Sequence, residues 1–467
     1  MAAPFIFAAK TINRGSNFPF AIDYTTMNDA TVTVSTSKPA LEGHKQALAG
    51  AIGLGAFIWF LLLSGWLGVK PGTVMTKRHN VLFNSDTDIW IERMAGEARL
   101  PWVAPHPLQT TLWRGPCRAL DHLLGIFLPS EYAGVFAARL LVASVAGIGV
   151  GFLAFLALRV GIKSSQCLLL FIIYLLFTQS ATVCLPEHFG ISNGLLSIAF
   201  VAPLLTTSAQ LRAIFLGALA ILTGGTTITN VLFPLGSLVD YWFKSMRFKV
   251  GLLLAAIPAG LGVSLFCYRR SFTVHIMWST FSHFRVLHYP LSAVAYTVFG
   301  LVSPAVGPTP LVLRVPGWDM VSYEPAHDPL RLSYYLGIPA TGPSYWNRVP
   351  VSHLLNGGHY IWLPAIGAMV WLALLVMCAS KGLRDHETRA SVRLLLGWLL
   401  FNMILHNIWG DEFVLYAPHW SWALMGLVVL GARHLSRTLI ATMIVPIVVS
   451  QIYTLLAIKT ALQSIVQ

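Results

Sequence analysis

The sequence predicts an all-α fold, a polytopic transmembrane helical bundle, and three observations predict it. First, 56% of the 467 residues are hydrophobic and only 10% are charged, where soluble domains carry roughly 25% charged residues. Second, uncharged runs long enough to cross a bilayer recur along the chain, beginning with AGAIGLGAFIWFLLLSGWLGV at Ala49–Val69. Third, the 15 Trp and 26 Phe suit aromatic belts at both membrane surfaces. A large water-facing domain is excluded.

The elements follow in order. Residues 1–48 are polar, rich in Thr, Ser and Ala, and read as a disordered cytoplasmic tail. Residues 49–268 form an N-terminal membrane core with apolar spans at Ala49–Val69, Val135–Leu158, Gln166–Leu185, Ile191–Thr206, Ala213–Phe243 and Val250–Tyr268. The run Ala213–Phe243 is long for one helix and short for two, and Gly224–Asn230 interrupts it. Two tilted or half-length helices joined at that Gly/Thr turn satisfy the backbone better than one. Residues 269–359 are rich in Pro, Gly, Tyr and Trp and read as a small extracytoplasmic cap with an interfacial helix near Pro290–Val302. Residues 360–467 add spans at Tyr360–Ala379, Leu394–Trp409, Phe413–Ala432 and Thr438–Ile458. Counting the interrupted run as two, the expectation is about 11 spans.

Charge sets the orientation. The formal net charge is +13, yet the basic residues stand singly or in small groups between apolar runs and form no stripe that could track a phosphate backbone, which argues against a nucleic-acid partner. Lys and Arg near residues 10–45, 159–163, 212, 244–249, 381–384 and 433–437 fall on one side, read as cytoplasmic by the positive-inside bias. The opposite side then collects the first outer loop (70–134), the turn Pro186–Asn193, the 269–359 segment and the turn Gly410–Glu412. The five cysteines have no CxxC spacing, and no Asn-x-Ser/Thr sequon occurs. The missing sequons and compact loops lean toward a bacterial inner or cell membrane.

The outer side carries the unusual polar chemistry. Asp86 and Asp88 lie in Asn-Ser-Asp-Thr-Asp-Ile-Trp-Ile-Glu-Arg (Asn84–Arg93), whose Ile89, Trp90 and Arg93 fit a short helix lying in the membrane interface. These carboxylates can serve as a general base or hold a divalent cation, or simply cap that helix. His106, in Pro-His-Pro-Leu (Pro105–Leu108), has its backbone restricted by a proline on each side, and can bind an acceptor or a phosphate or serve as a structural turn residue. Glu187 and His188 form an acid–base pair in an outer turn. Asp411 and Glu412 occupy another, followed by Tyr416 and His419 near a helix start. Arg269, Arg270 and Arg285 run against the charge bias and suit a lipid phosphate, or ordinary headgroup contact. Thr226, Thr227, Thr229 and Asn230 read as hydrogen-bonding groups between helices.

Taken together, the pattern resembles the GT-C class of polytopic glycosyltransferases, of the protein-mannosyltransferase and aminoarabinose-transferase type. The resemblance is carried by Ser85-Asp86-Thr87-Asp88-Ile89-Trp90, Pro105-His106-Pro107-Leu108, Pro186-Glu187-His188-Phe189-Gly190-Ile191-Ser192, the Gly224–Asn230 break, and Glu412-Phe413-Val414-Leu415-Tyr416-Ala417-Pro418-His419-Trp420. It covers roughly residues 50–240 and 355–432. Asp-Thr-Asp stands where the family carries Asp-Glu, and Pro-His-Pro-Leu where it carries His-Pro-Pro-Leu.

The resemblance implies a GT-C-like bundle and a metal-optional, inverting transfer from a polyprenyl-phosphate sugar donor to a glycan, lipid or protein acceptor. It implies Asp86 or Asp88 as catalytic base, Asp86 foremost. It places His106, Glu187, His188, Asp411, Glu412 and His419 around the substrates, and Arg269, Arg270 or Arg285 at the phosphate. No resident cofactor is expected; the partners are the donor, the acceptor and membrane lipids. Two other classes fit the same composition: a transporter or flippase of lipid-linked saccharides, and a non-catalytic scaffold retaining the fold. No internal repeat is visible, which weighs against the transporter.

Overall fold

The computed structural model describes residues 39–77, 87–96, 106, 108–206, 208–237, 297–298, 300–302, 304–306, 362–408 and 416–466. Among these residues all regular structure is helical. In chain order the helices are α1 (Pro39–Trp66), α2 (Val74–Lys77), α3 (Thr87–Met94), α4 (Gln109–Leu124), α5 (Ser130–Arg159), α6 (Ser164–Leu175), α7 (Ser180–Val183), α8 (His188–Leu205) and α9 (Ala209–Thr226). A 3₁₀ turn follows at Ile228–Val231, then α10 (Trp362–Arg384), α11 (Arg389–Ile408), α12 (Pro418–Ala432) and α13 (Arg437–Val466).

The protein is a membrane protein. Five helices among the described residues are long and apolar enough to cross a bilayer: Glu42–Trp66, Ser130–Arg159, His188–Leu205, Leu363–Arg384 and Arg437–Thr460. The apolar helices Ser164–Leu175, Leu211–Thr226 and Ile228–Ser237 are shorter. The expected span Val250–Tyr268 lies outside the described residues.

Small residues let the long helices approach backbone to backbone, as helices in lipid must when burial from water no longer drives them together. Gly53 of α1 meets Gly147 and Gly151 of α5, with Glu42 beside Arg159 at the far end, so α1 and α5 are antiparallel. On α5, Gly149 faces Gly194 of α8, and a side chain on Gly194 would overlap the Val145 carbonyl. An apolar groove of about 610 Å³ lies between α1 and α5 in the half away from α3, lined by Ala49, Gly50, Phe57, Ile148 and Phe155 among others. It is remote from the polar cluster described below.

The bundle has two chemically different ends. At one, which we call the basic end, the α5–α6, α10–α11 and α12–α13 turns meet. Arg433 pairs with Asp385, bonds Glu387 at 2.8 Å and donates to Val160 O at 3.4 Å, while Gln166 reaches Leu435 O at 3.4 Å. Gly161 turns the chain there with φ +92, a left-handed conformation that favours glycine. Burial pushes the Asp385 carboxyl up, but bonds from His434, Arg433 and the Glu387 N–H, with the Arg433 charge, hold it below its ordinary value.

Four expectations differ from the structure. The helix α1 begins at Pro39, so residues 39–48, read as tail, are helical. The span Gln166–Leu185 is broken: α6 stops at Leu175 and α7 restarts at Ser180. The break is stable in an apolar interior because its backbone is paired. Thr178 and Gln179 donate to the Ala305 and Pro304 carbonyls, and the Gln451 amide donates to Ile173 O and Ala305 O at 3.1 and 3.0 Å. Third, residues 300–302 and 304–306, assigned to an outer cap, sit inside the bundle: Trp420 and Trp371 donate to Gly300 O and Leu301 O, and Val302, Ala305 and Val306 are buried. Fourth, the first outer loop, for which one interfacial helix is expected, holds α2 and α4 besides α3; Cys117 of α4 is buried against α3 and α5 while Leu123 projects outward.

Candidate functional site

The other end of the bundle gathers the start of α8, the end of α9, the start of α12, α3 and the isolated turn residue His106. Each is placed by a local cause.

Helix α3 opens with Asp88 in its first turn and closes with Arg93 in its last, a charge order that suits the helix dipole. Thr87, Trp90 and Met94, at helical spacing, form its buried face. Trp90 and Met94 pack on Cys117, Ala137, Ala138 and Leu141, which fixes α3 against α4 and α5. Arg93 lies over the Trp90 ring at 4.8 Å. That anchoring brings Thr87 to Glu187: the Thr87 hydroxyl donates to Glu187 Oε1 at 2.8 Å, and Glu187, at the N-cap of α8, is 1% exposed.

His106 is held by the C-terminal end of α9. Its Nδ1 lies 2.9 Å from the Thr226 carbonyl oxygen and 3.4 Å from Thr227 Oγ1. Leu108 N–H donates to Gly225 O at 2.9 Å, and a Cβ on Gly225 would press on the Leu112 and Leu108 side chains at 2.8 and 3.0 Å, so the chain approaches α9 closely at this glycine. Trp113 donates to Thr226 Oγ1 at 3.0 Å and completes the clamp. Burial, opposed by the bond to the Thr226 carbonyl and aided by the Arg93 charge, lowers the His106 pKa to about 4. The ring is neutral at neutral pH.

Around His106 stands an array of rings from four other segments. The His106 and His188 centroids are 3.9 Å apart, and Trp90 lies 5.3 Å from His106 and 5.4 Å from His188. His188 lies 6.1 Å from His419, and His419 lies 6.5 Å from His406, which stacks on Tyr416 at 4.8 Å. His188, His406 and His419 are buried, and His188 Nδ1 has no hydrogen-bond partner among the described residues. Asn230 Nδ2 donates to His419 Nδ1 at 3.1 Å, while Trp398 and Trp422 both donate to the His419 carbonyl at 2.9 Å. Asn193 ties α8 to α12 by donating to Pro418 O at 2.9 Å and Ser421 Oγ at 3.1 Å.

Thus His106, Glu187, His188 and His419 come together at one end of the bundle. Asp88 directly follows Thr87 in α3, with one carboxylate oxygen shielded from solvent. Asp86, Arg269, Arg270, Arg285, Asp411 and Glu412 lie outside the described residues. The Gly/Thr break takes the cross-helix role read for it, through Asn230 and the Thr226 carbonyl. Sequence reasoning missed Thr87, Trp90 and His406 as members. Thr87 and Trp90 share one helical face with Met94, a signal that was available; His406, inside an apolar run, carried none. Among the described residues, no group of three or more His, Cys, Asp or Glu is arranged to hold a metal ion.

No family model, no curated protein and no solved structure matches the chain.

Proposed function

We propose that this protein is a membrane glycosyltransferase that moves a sugar from a polyprenyl-phosphate donor to a hydroxyl of a glycan, lipid or protein acceptor. One observation carries the reading. Five segments distant in sequence, those around Thr87-Asp88, His106, Glu187-His188, Thr226–Asn230 and Tyr416–His419, meet in one polar cluster at a single end of an apolar bundle. They are the segments on which the resemblance to GT-C enzymes rests. If the basic end faces the cytoplasm, as the positive-inside bias requires, the cluster faces outward, where a lipid-linked sugar is consumed. The finer architecture, about 11 spans in a GT-C-like arrangement in a bacterial inner or cell membrane, belongs to the same proposal.

In this reading the first outer loop supplies the base, since it carries Asp86, Asp88 and His106. The leaving lipid phosphate needs positive charge more than a strong acid, the part given to Arg269, Arg270 or Arg285. A divalent cation is optional to the chemistry.

The test is transfer by the purified full chain in detergent, from a panel of polyprenyl-phosphate hexoses and aminosugars to acceptors in a membrane extract of cells lacking the protein, with products read by mass spectrometry. No glycosylated product from any donor would sink the reading. A flippase reading draws on the polar helix break at Thr178–Gln179, tied to Gln451 within the bundle. Movement of a lipid-linked sugar across liposomes without a glycosyl product would favour it. Absence of both activities and of donor binding would leave a scaffold.

A further inference from the structure

We propose that His106 is the catalytic base of this transfer, receiving the acceptor's hydroxyl proton at Nε2. The proposal rests on the glycosyl-transfer reading and selects the imidazole over Asp86 and Asp88.

The tautomer is decided by its partner. A carbonyl oxygen only accepts, so the contact of 2.9 Å between His106 Nδ1 and Thr226 O requires the proton on Nδ1. The lone pair is therefore on Nε2. The Thr226 carbonyl plays the orienting part that a carboxylate plays toward histidine in hydrolytic triads: it holds the tautomer and favours the imidazolium as it forms. Thr226 is also the last residue of α9, whose terminal carbonyls lack helical partners and carry the negative end of the helix dipole. A proton arriving at Nε2 puts positive charge where that end stabilises it.

The ring is fixed in place. Thr227 Oγ1 supports Nδ1, Trp90 meets the ring edge to face at an interplanar angle of 84°, and His188 lies against it. Among the described residues, its titratable and charged neighbours are Arg93 on α3, His188 on α8 and His419 on α12. With a pKa of about 4, His106 is as basic as an ordinary aspartate at roughly 3.9, so exchanging a carboxylate for this imidazole sacrifices no basicity. It also brings no negative charge toward a phosphate-bearing donor.

The step balances within the two substrates and His106. The acceptor O–H bond breaks and its proton moves to Nε2, while the acceptor oxygen bonds the anomeric carbon. The bond from that carbon to the phosphate oxygen breaks, and its electron pair leaves with the polyprenyl phosphate.

His106→Asn separates this role from a structural one. The asparagine amide can take the place of Nδ1–H against Thr226 O, and it has no base at the Nε2 position. In the transfer assay above, the variant should keep the donor KM within about threefold and lose roughly 100-fold or more in kcat. Turnover within about threefold of the parent overturns the role of His106 and leaves the transfer reading standing. A parent chain that transfers from no donor overturns both. Independently of activity, ¹⁵N spectra of the histidine-labelled full chain, with the His106 signals assigned by their loss in His106→Asn, should show Nδ1 protonated and Nε2 bare at pH 7. The opposite tautomer, or an imidazolium at that pH, overturns the proposal.

Discussion

The Thr87 hydroxyl donates to Glu187 Oε1 at 2.8 Å and joins two segments a hundred residues apart, the first outer helix and the start of α8. Both residues are buried, at 2% and 1% exposure. A buried carboxylate that loses a donor keeps the full cost of its desolvation. Thr87→Val should therefore lower stability by about 1–2 kcal/mol, the range for removing one partner of a buried hydrogen bond. Thr87→Ser, which keeps the hydroxyl, should recover most of it. A double-mutant cycle with Glu187→Met, which removes the acceptor at similar size, read by thermal unfolding in detergent, should return a coupling; strict additivity would mean that the bond contributes nothing.

His106 makes the fold sensitive to acid. Its pKa falls from 6.5 to about 4 on folding, so below pH 6.5 the unfolded chain takes up a proton that the folded chain declines. The contribution is fully present above pH 6.5 and is lost progressively as pH falls to about 4. The thermal midpoint should drop between pH 7.5 and 4.5, and it should drop less in His106→Asn. Equal drops would remove His106 from the account.

At the basic end, Asp385 binds both Arg433 and His434, tying the α10–α11 turn to the α12–α13 turn. Its side chain is only 12% exposed. Its pKa is lowered, so its contribution is fully present above the ordinary carboxylate value and is lost as pH falls from there through the lowered folded value. Asp385→Asn should destabilise by on the order of 2 kcal/mol at pH 7, and the gap from the parent should close in acid. A gap independent of pH would point to packing.

Two glycines offer a matched contrast. Gly194 touches the α5 backbone, and a Cβ there would overlap Val145 O, whereas a Cβ on Gly50 meets nothing within 4 Å. Gly194→Ala should cost about 1–3 kcal/mol, the range for forced overpacking. Gly50→Ala should be neutral or gain up to about 1 kcal/mol from helix propensity. Thermal midpoints in detergent decide it, and similar values for both would refute close packing of α5 on α8.

Much of the site was legible in the chain because its members occupy positions where a polar group is costly. Glu187, His188 and His419 flank or begin apolar runs, where a bland turn or helix start would do without them. Charge bias alone placed them with His106 on one face. Thr87 was hidden between two aspartates that drew the attention, and its role depends on a partner a hundred residues away. His406 lies inside an apolar run, and only the packing of α11 beside α12 sets it against Tyr416 and His419.

The break between α6 and α7 shows the same limit for the fold. LLLFIIYLLFTQSATVCL reads as one continuous span. It breaks because Ala305, Pro304 and Gln451, remote in sequence, offer hydrogen-bond partners that an isolated helix in lipid would lack. Composition and apolar run length by themselves determined that this is a helical membrane protein, since that follows from each residue's cost in lipid. Which polar groups meet, where a span breaks, and which histidine nitrogen bears the proton were decided only in the tertiary structure. Those outcomes depend on partners supplied by other helices, and pairwise geometry between distant segments is not written in any local stretch of the chain.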